Sequence, residues 1–255
     1  MSTSLKQARD GRLLHLTLAR PEKRNALNVE LCRALSSALD GAGDDPSIGA
    51  ILLDAEGPGF CAGMDLQEVL EPGAAEAGPV HRSLFTVGSR LRKPLVAAVH
   101  GAALAGGTGL AANAHVVFAA TNATFGLTEL RIGLWPYVIF RAVVEAAGHR
   151  RAVELSLTAR TFGANEARDY GIVHFVTEPD VLGARAYAMA GELAAAAPEA
   201  LARGLEFARQ ARSMDAEPAL DLALERRAEN FASAEFAEGV RAFRGKRAPK
   251  WPSLR

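Results

Sequence analysis

Two cysteines, Cys32 and Cys61, are all that 255 residues contain, and neither stands in a CxxC or Cys/His pattern with zinc spacing. The scarcity argues against a disulfide framework and a structural metal, and for a reducing, cytoplasmic setting. An excess of charge of either sign is missing as well. Twenty-nine basic residues cancel 29 acidic ones, leaving no overall field to draw the chain onto nucleic acid or an anionic membrane, so neither is expected as a partner. Long apolar runs are absent too: Gly, His or Asn break them short of the roughly 18 residues that cross a bilayer, and the first thirty residues hold no apolar signal core. What the chain does have is 49% hydrophobic residues, enough for one large core or a domain with an appendage.

Strand and helix patterns take turns along the chain. "RLLHLTLA" (12–19) alternates and runs into Arg20-Pro21, as a strand does on reaching a turn. Leu27, Leu31, Leu35 and Leu39 recur every four residues and predict an amphipathic helix that stops near Gly41 and Gly43. "IGAILLDAEG" (48–57), "PLVAAVHG" (94–101) and "AHVVFAAT" (114–121) read as buried strands, each followed by a loop and a helical stretch. This alternation predicts a parallel, layered α/β architecture with ligands gathered where strand ends meet helix starts. From about residue 180 the chain becomes rich in Ala, Glu and Arg and purely helical in period, predicting a helical segment packed on the core or on a partner subunit. Its last fifteen residues include Arg241, Arg244, Lys246, Arg247, Lys250 and Arg255 and no acid, which suits either a solvated tail or a site for a phosphate-bearing ligand.

Glycines mark the loops that matter. "GAALAGGTGL" (101–110) carries four in ten positions, yet it has neither the GxxxxGK[ST] of a phosphate-cradling loop nor the GxGxxG of a dinucleotide fold. Glycines can instead let backbone N–H groups approach an oxyanion, where a side chain would block the substrate. One such donor rarely suffices, and "GPGFCAGMDLQEV" (57–69) is a second glycine-hinged strand exit that could supply the other. Tight strand-to-helix turns are the plainer explanation of both.

Six blocks carry a resemblance: "LARPEKRNALN" (18–28), "FCAGMDLQEV" (60–69), "HGAALAGGTGLAANAHVVFAA" (100–120), "FGLTELRIGLWP" (125–136), "LTARTFGANEARDYGIVHFV" (157–176) and "FAEGVRAFRGKRAPKW" (236–251). In order and covering nearly the whole chain, they resemble the crotonase superfamily of enoyl-CoA hydratases and isomerases. The resemblance implies an α/β fold of the ClpP/crotonase-like type: a spiral of ββα units over 1–195 with the acyl-CoA site, and a helical C-terminal oligomerisation segment over 196–255. It implies a homotrimer or dimer of trimers, an acyl-CoA thioester as substrate, and no further cofactor.

The same resemblance assigns roles. The N–H groups of Met64 and Gly106 match the family's oxyanion hole, and Glu129 matches one of its two catalytic glutamates. Lys23, Arg24, Ala26, Ala62, Asp65, Leu66 and Gly107 fall among the substrate-binding positions, and Phe243 and Lys246 resemble further contacts to the nucleotide, donated by a neighbouring subunit. The second catalytic glutamate would stand at Gly109, where this chain has no side chain. A two-carboxylate hydratase shares its proton transfers between that pair, whereas one glutamate can still move a proton from the γ- to the α-carbon of a 3-enoyl thioester. Hydration, isomerisation and non-catalytic acyl-CoA binding thus all stay open. Asp65, Glu68 or Glu71 could help as acids, though solvent-facing positions suit them as well.

Read from the residues alone, Glu129 between Leu127, Leu130 and Ile132 is expected to be desolvated, with a raised pKa; a plainer role is a first-turn dipole partner. Bulk at 134–140, including Trp135 and Tyr137, should reshape the acyl pocket for a short or branched chain unless these are core aromatics. The six histidines stand singly, and structural roles are expected for them. Cys61 beside the oxyanion loop invites a nucleophile reading but lacks a base placed by sequence.

Overall fold

The computed structural model describes residues 4–70 and 77–254. A hairpin turning at Gly11 joins β1 (Leu5–Asp10) to β2 (Leu13–Leu18), and β2 then pairs in parallel with β3 (Ala50–Ala55). β4 (Leu95–Val99) follows in the same sheet; β5 (Ala102–Leu104) leaves it, and β6 (Val116–Ala120) returns. β7 (Thr124–Gly126) and β8 (Thr161–Gly163) join β5, and β9 (Phe175–Thr177) closes the large sheet. The large sheet runs β1-β2-β3-β4-β6-β9, parallel throughout except for the β1/β2 hairpin, as the alternation predicts. The small one, β5-β7-β8, pairs β5 with β7 in parallel and β7 with β8 antiparallel.

Helices cover both faces of the large sheet. α1 (Val29–Asp44) starts later than the leucine spacing predicts: Asn28 caps it, its side chain accepting the Leu31 N–H, and Leu27 is freed to bridge to Met64. Leu31, Leu35 and Leu39 are the buried stripe of α1, set against Ile51, Leu53 and Leu95 of the strands. α2 (Leu66–Val69) is a single turn after the 61–65 loop, α3 (Ala77–Phe85) packs on α1, and α4 (Gly106–Ala112) follows β5. α5 (Tyr137–Ala147) packs on α4 and α3, α6 (His149–Thr158) packs on α5, and α7 (Ala164–Asp169) packs against the small sheet. α8 (Pro179–Ala195) covers the opposite face with Leu182, Ala186, Ala190 and Ala194, an i, i+4 row small enough for close approach to Leu52, Val96 and Phe118.

The last three helices differ. α9 (Pro198–Ala211) and α10 (Ala216–Phe231) bury none of their residues, and α11 (Ala234–Arg244) buries only Glu235, Glu238 and Ala242. Leu220, Leu224, Phe231, Phe236 and Phe243 are exposed on them. Two acids hold the tail: Glu235 accepts the N–H groups of Glu199 and Ala200 at the start of α9, and Glu238 pairs with Arg247 at 2.7 Å and accepts the Lys250 N–H. Arg247 is therefore not part of a free basic cluster. Among the described residues no helix is long and apolar enough to cross a membrane.

Candidate active site

Three strand ends laid side by side build one cavity. Residues 61–64 bridge β5 through Cys61 and Ala103: the Cys61 N–H donates to the Ala102 carbonyl at 2.9 Å, and the Leu104 N–H returns a bond to the Cys61 carbonyl at 2.9 Å. Leu27 bridges Met64 on the outer side, its N–H donating to the Gly63 carbonyl at 2.7 Å. On the inner side β5 lies parallel to β7 with Leu104 opposite Gly126. Gly106 comes two residues after Leu104 and Glu129 three after Gly126, so the pairing sets the two next to each other. Buried Thr108 locks the arrangement, its hydroxyl bonding the Ala103 carbonyl at 2.7 Å and both the carbonyl and N–H of Gly126 at 3.1 Å.

Backbone constraint is concentrated here. Ala105 holds φ +49° and ψ −116°, a region costly for any residue with a Cβ, and its N–H is pinned to the Gly126 carbonyl at 2.7 Å. Gly63, at φ +95°, lies so close that a Cβ on it would come within 2.9 Å of the Ala105 Cβ. A Cβ at Gly107 would come within 2.3 Å of the Cys61 carbonyl oxygen. Close approach of the two loops is what requires glycine at 107; the sharp turn itself is made by Ala105. Gly107 is not among the residues that line the cavity.

Met64, Leu66, Gly106, Glu129 and Trp135 line the same cavity, of about 250 Å³. The N–H groups of Met64 and Gly106 meet no acceptor among the described residues. Glu129 is 9% exposed, and its Oε2 is buried without a partner. Burial raises its pKa above the usual carboxylate range, with its own backbone N–H pulling weakly the other way. The sequence neighbours are not the main cause: Leu127 is buried, but Leu130 and Ile132 are 43% and 55% exposed, so the desolvation comes from the tertiary wall.

That wall is α5 and the segment before it. Tyr137 is 74% exposed at the rim and Trp135 half-buried beside Phe140, so neither is a core aromatic. Ile139, 1% exposed, fills the space beside Gly109: a Cβ there would come within 2.3 Å of Ile139 Cγ2 and 3.2 Å of Phe85 Cε1. An acid at position 109 has no room while Ile139 stands.

The remaining predicted contacts lie on the rim or away from it. Lys23 donates to Gln67 at 2.9 Å, the Arg24 carbonyl accepts the Ala62 N–H at 3.0 Å, and the Ala26 carbonyl accepts from Arg20. Asp65 pairs with Arg20 at 3.1 Å and caps α2, and Glu68 accepts the Val29 N–H, so both acids have structural work. Glu71 lies outside the described residues. Phe243 is 86% exposed on α11, and neither it nor Lys246 lines the cavity. Burial pushes the Cys61 thiol up to about 12, which removes it as a nucleophile at neutral pH.

His81 is a cavity-lining residue that the sequence did not single out. This imidazole on α3 lines the cavity, unlike His115 and His174, whose Nδ1 atoms accept backbone N–H groups, or His15, which meets Asp54 at 2.8 Å. The signal available was its place one turn before Phe85, which abuts Gly106 and Gly109.

The model of the enoyl-CoA hydratase/isomerase family matches residues 9–253. The chain belongs to that family. It is 34% identical to the 2,3-dehydroadipyl-CoA hydratase of Escherichia coli, over 95% of this chain and 96% of that one. Identity to the enoyl-CoA hydratase EchA19 of Mycobacterium tuberculosis is 32%, over 95% and 94%. The crystal structure of an enoyl-CoA hydratase from Mycobacterium smegmatis superposes with a TM-score of 0.92 at 32% identity, covering 98% of this chain and 99% of that one. The fold is the crotonase fold, and the protein is an acyl-CoA-binding member of the enoyl-CoA hydratase/isomerase family.

Proposed function

We propose that Met64 and Gly106 hold the oxygen of an acyl-CoA thioester on their N–H groups while Glu129 moves a proton at the α-carbon. The observation that carries this reading is that two unpartnered backbone donors and one unpartnered, buried carboxylate face a single apolar cavity. With the carbonyl oxygen between two fixed donors, charge leaving the α-C–H bond or arriving from the β-carbon collects where it is stabilised; each donor contributes about 3 kcal/mol to such a step. Gly106 opens α4, so the helix dipole adds to its N–H. Burial, which raises the pKa of Glu129, lets it hold a proton more readily than an exposed carboxylate, as a group that accepts and returns one must. The cavity is small against the roughly 300–1,000 Å³ typical of ligand sites, which favours a short or branched acyl group. The CoA moiety leaves over the rim, where Lys23, Arg24, Ala26, Ala62, Asp65 and Leu66 lie, and Phe243 and Lys246 of a neighbouring copy complete its contacts. The unpartnered apolar residues of α10 and α11 support such self-association.

A second reading, double-bond migration by Glu129 alone, is favoured by Ile139 standing where a second acid would be. Incubation with a panel of 2-enoyl and 3-enoyl thioesters separates the two: water addition supports hydration, and migration without it supports isomerisation. Acyl-CoA binding with neither reaction, and no α-proton exchange in deuterated water, overturns the catalytic reading.

A further inference from the structure

The cavity holds a second titratable side chain that the reading above leaves idle. His81 stands one helical turn before Phe85 on α3, their rings 6.4 Å apart, and Phe85 is the residue that abuts both Gly106 and Gly109. α3 therefore places His81 in the cavity that Met64, Gly106 and Glu129 line, next to the ring that packs on Gly109. No hydrogen bond engages the His81 ring among the described residues, so the imidazole and the unpartnered Glu129 Oε2 share one cavity. His81 and Glu129 are the two titratable groups with free acid–base capacity lining it; Tyr137, the third ionisable side chain, is at the exposed rim. The charge of Glu68 acts on His81, and that carboxylate is engaged by the Val29 N–H.

We propose that His81 is the second acid–base group of this site, taking a proton from the water that attacks the β-carbon of a 2-enoyl thioester while Glu129 delivers one to the α-carbon. The step balances. The water oxygen bonds to the β-carbon and one water proton passes to the imidazole; the π electrons move toward the thioester carbon, with negative charge held by Met64 and Gly106. The protonated Glu129 then gives its proton to the α-carbon and becomes a carboxylate. The products are the 3-hydroxyacyl thioester, imidazolium and carboxylate, and solvent at the cavity mouth returns the proton from His81 to Glu129. Burial shifts both groups toward the neutral forms from which this cycle starts, lowering the pKa of His81 and raising that of Glu129. A site that cannot place a carboxylate at 109 thus retains two-group chemistry from a different helix.

The inference rests on Glu129 and the oxyanion hole, and the test keeps the two apart. Wild type, His81→Gln and Glu129→Gln are compared in hydration of a short 2-enoyl-CoA and in α-proton exchange of the matching saturated acyl-CoA in deuterated water. Acyl-CoA binding and thermal melts control for folding. For His81→Gln the expected result is a fall in hydration kcat of about 10²- to 10⁴-fold, with KM and α-exchange within about threefold of wild type. Added imidazole should restore part of the hydration in His81→Ala. Hydration by His81→Gln within about threefold of wild type, a loss confined to KM, or a wild-type protein that migrates double bonds without adding water each overturns the role of His81. If Glu129→Gln keeps full exchange, or wild type is inert in both assays, the catalytic assignment of Glu129 fails and this inference falls with it.

Discussion

The two sides of the cavity are made of different material. On one side, residues 61–66 and 105–106 form a wall of backbone, held by strand-like hydrogen bonds and by loops packed too closely for a Cβ at 63 or 107. On the other, residues 134–139 form a wall of side chains, with Ile139 wedged against Gly109 and Tyr137 open to solvent. The first wall fixes where charge can be stabilised, and the second fixes which atoms and how much water can approach. A substitution on the first should damage chemistry before binding. One on the second should change stability and substrate choice first.

Of the substitutions that probe the two walls, Gly63→Ala is expected to produce the largest effect, because the new Cβ meets Ala105 and the left-handed backbone at 63 becomes strained. Displacing the Met64 donor should cut turnover about 10²- to 10³-fold, measured as kcat with acyl-CoA binding retained. Ile139→Ala should instead remove about 2–5 kcal/mol of stability in denaturant melts while α-proton exchange survives. Gly109→Ala should cost about 1–3 kcal/mol from overpacking, and most of that cost should vanish in an Ile139→Ala background. Additive losses in that double variant would mean that the contact between 109 and 139 is not what excludes a side chain.

The smallest effect expected is a gain. Glu129 holds its proton more tightly in the folded protein than when unfolded, so the folded state loses stability as pH rises from the unfolded carboxylate pKa, near 4.5, through the raised folded value. Glu129→Gln removes that loss. Its melting temperature should exceed wild type's at neutral pH and converge with it below about pH 4, where both carboxyl states are protonated.

The loops of the backbone wall were legible from sequence as glycine-hinged exits from apolar strands, but glycine spacing alone left tight turns the plainer reading until the family resemblance set the two loops together. Period and composition also disclosed β2, β3, β4, β6 and the helical character after residue 180. The three-residue strands β5, β7 and β8 carry too short a pattern to read, although their pairing is what sets Gly106 beside Glu129. The side-chain wall was hidden for a different reason. Ile139 is 30 positions from Gly109, and only the packing of α5 on α4 reveals that it fills the neighbouring space. His81 was passed over because a lone histidine is ambiguous until the cavity around it is seen.

The measurement closest to the central claim is α-proton exchange of a short saturated acyl-CoA in deuterated water, followed by NMR for wild type and Glu129→Gln with binding measured alongside. The account predicts exchange by wild type, at least about a hundredfold less by the variant, and acyl-CoA affinity unchanged within about threefold. Equal exchange by the two proteins would contradict it.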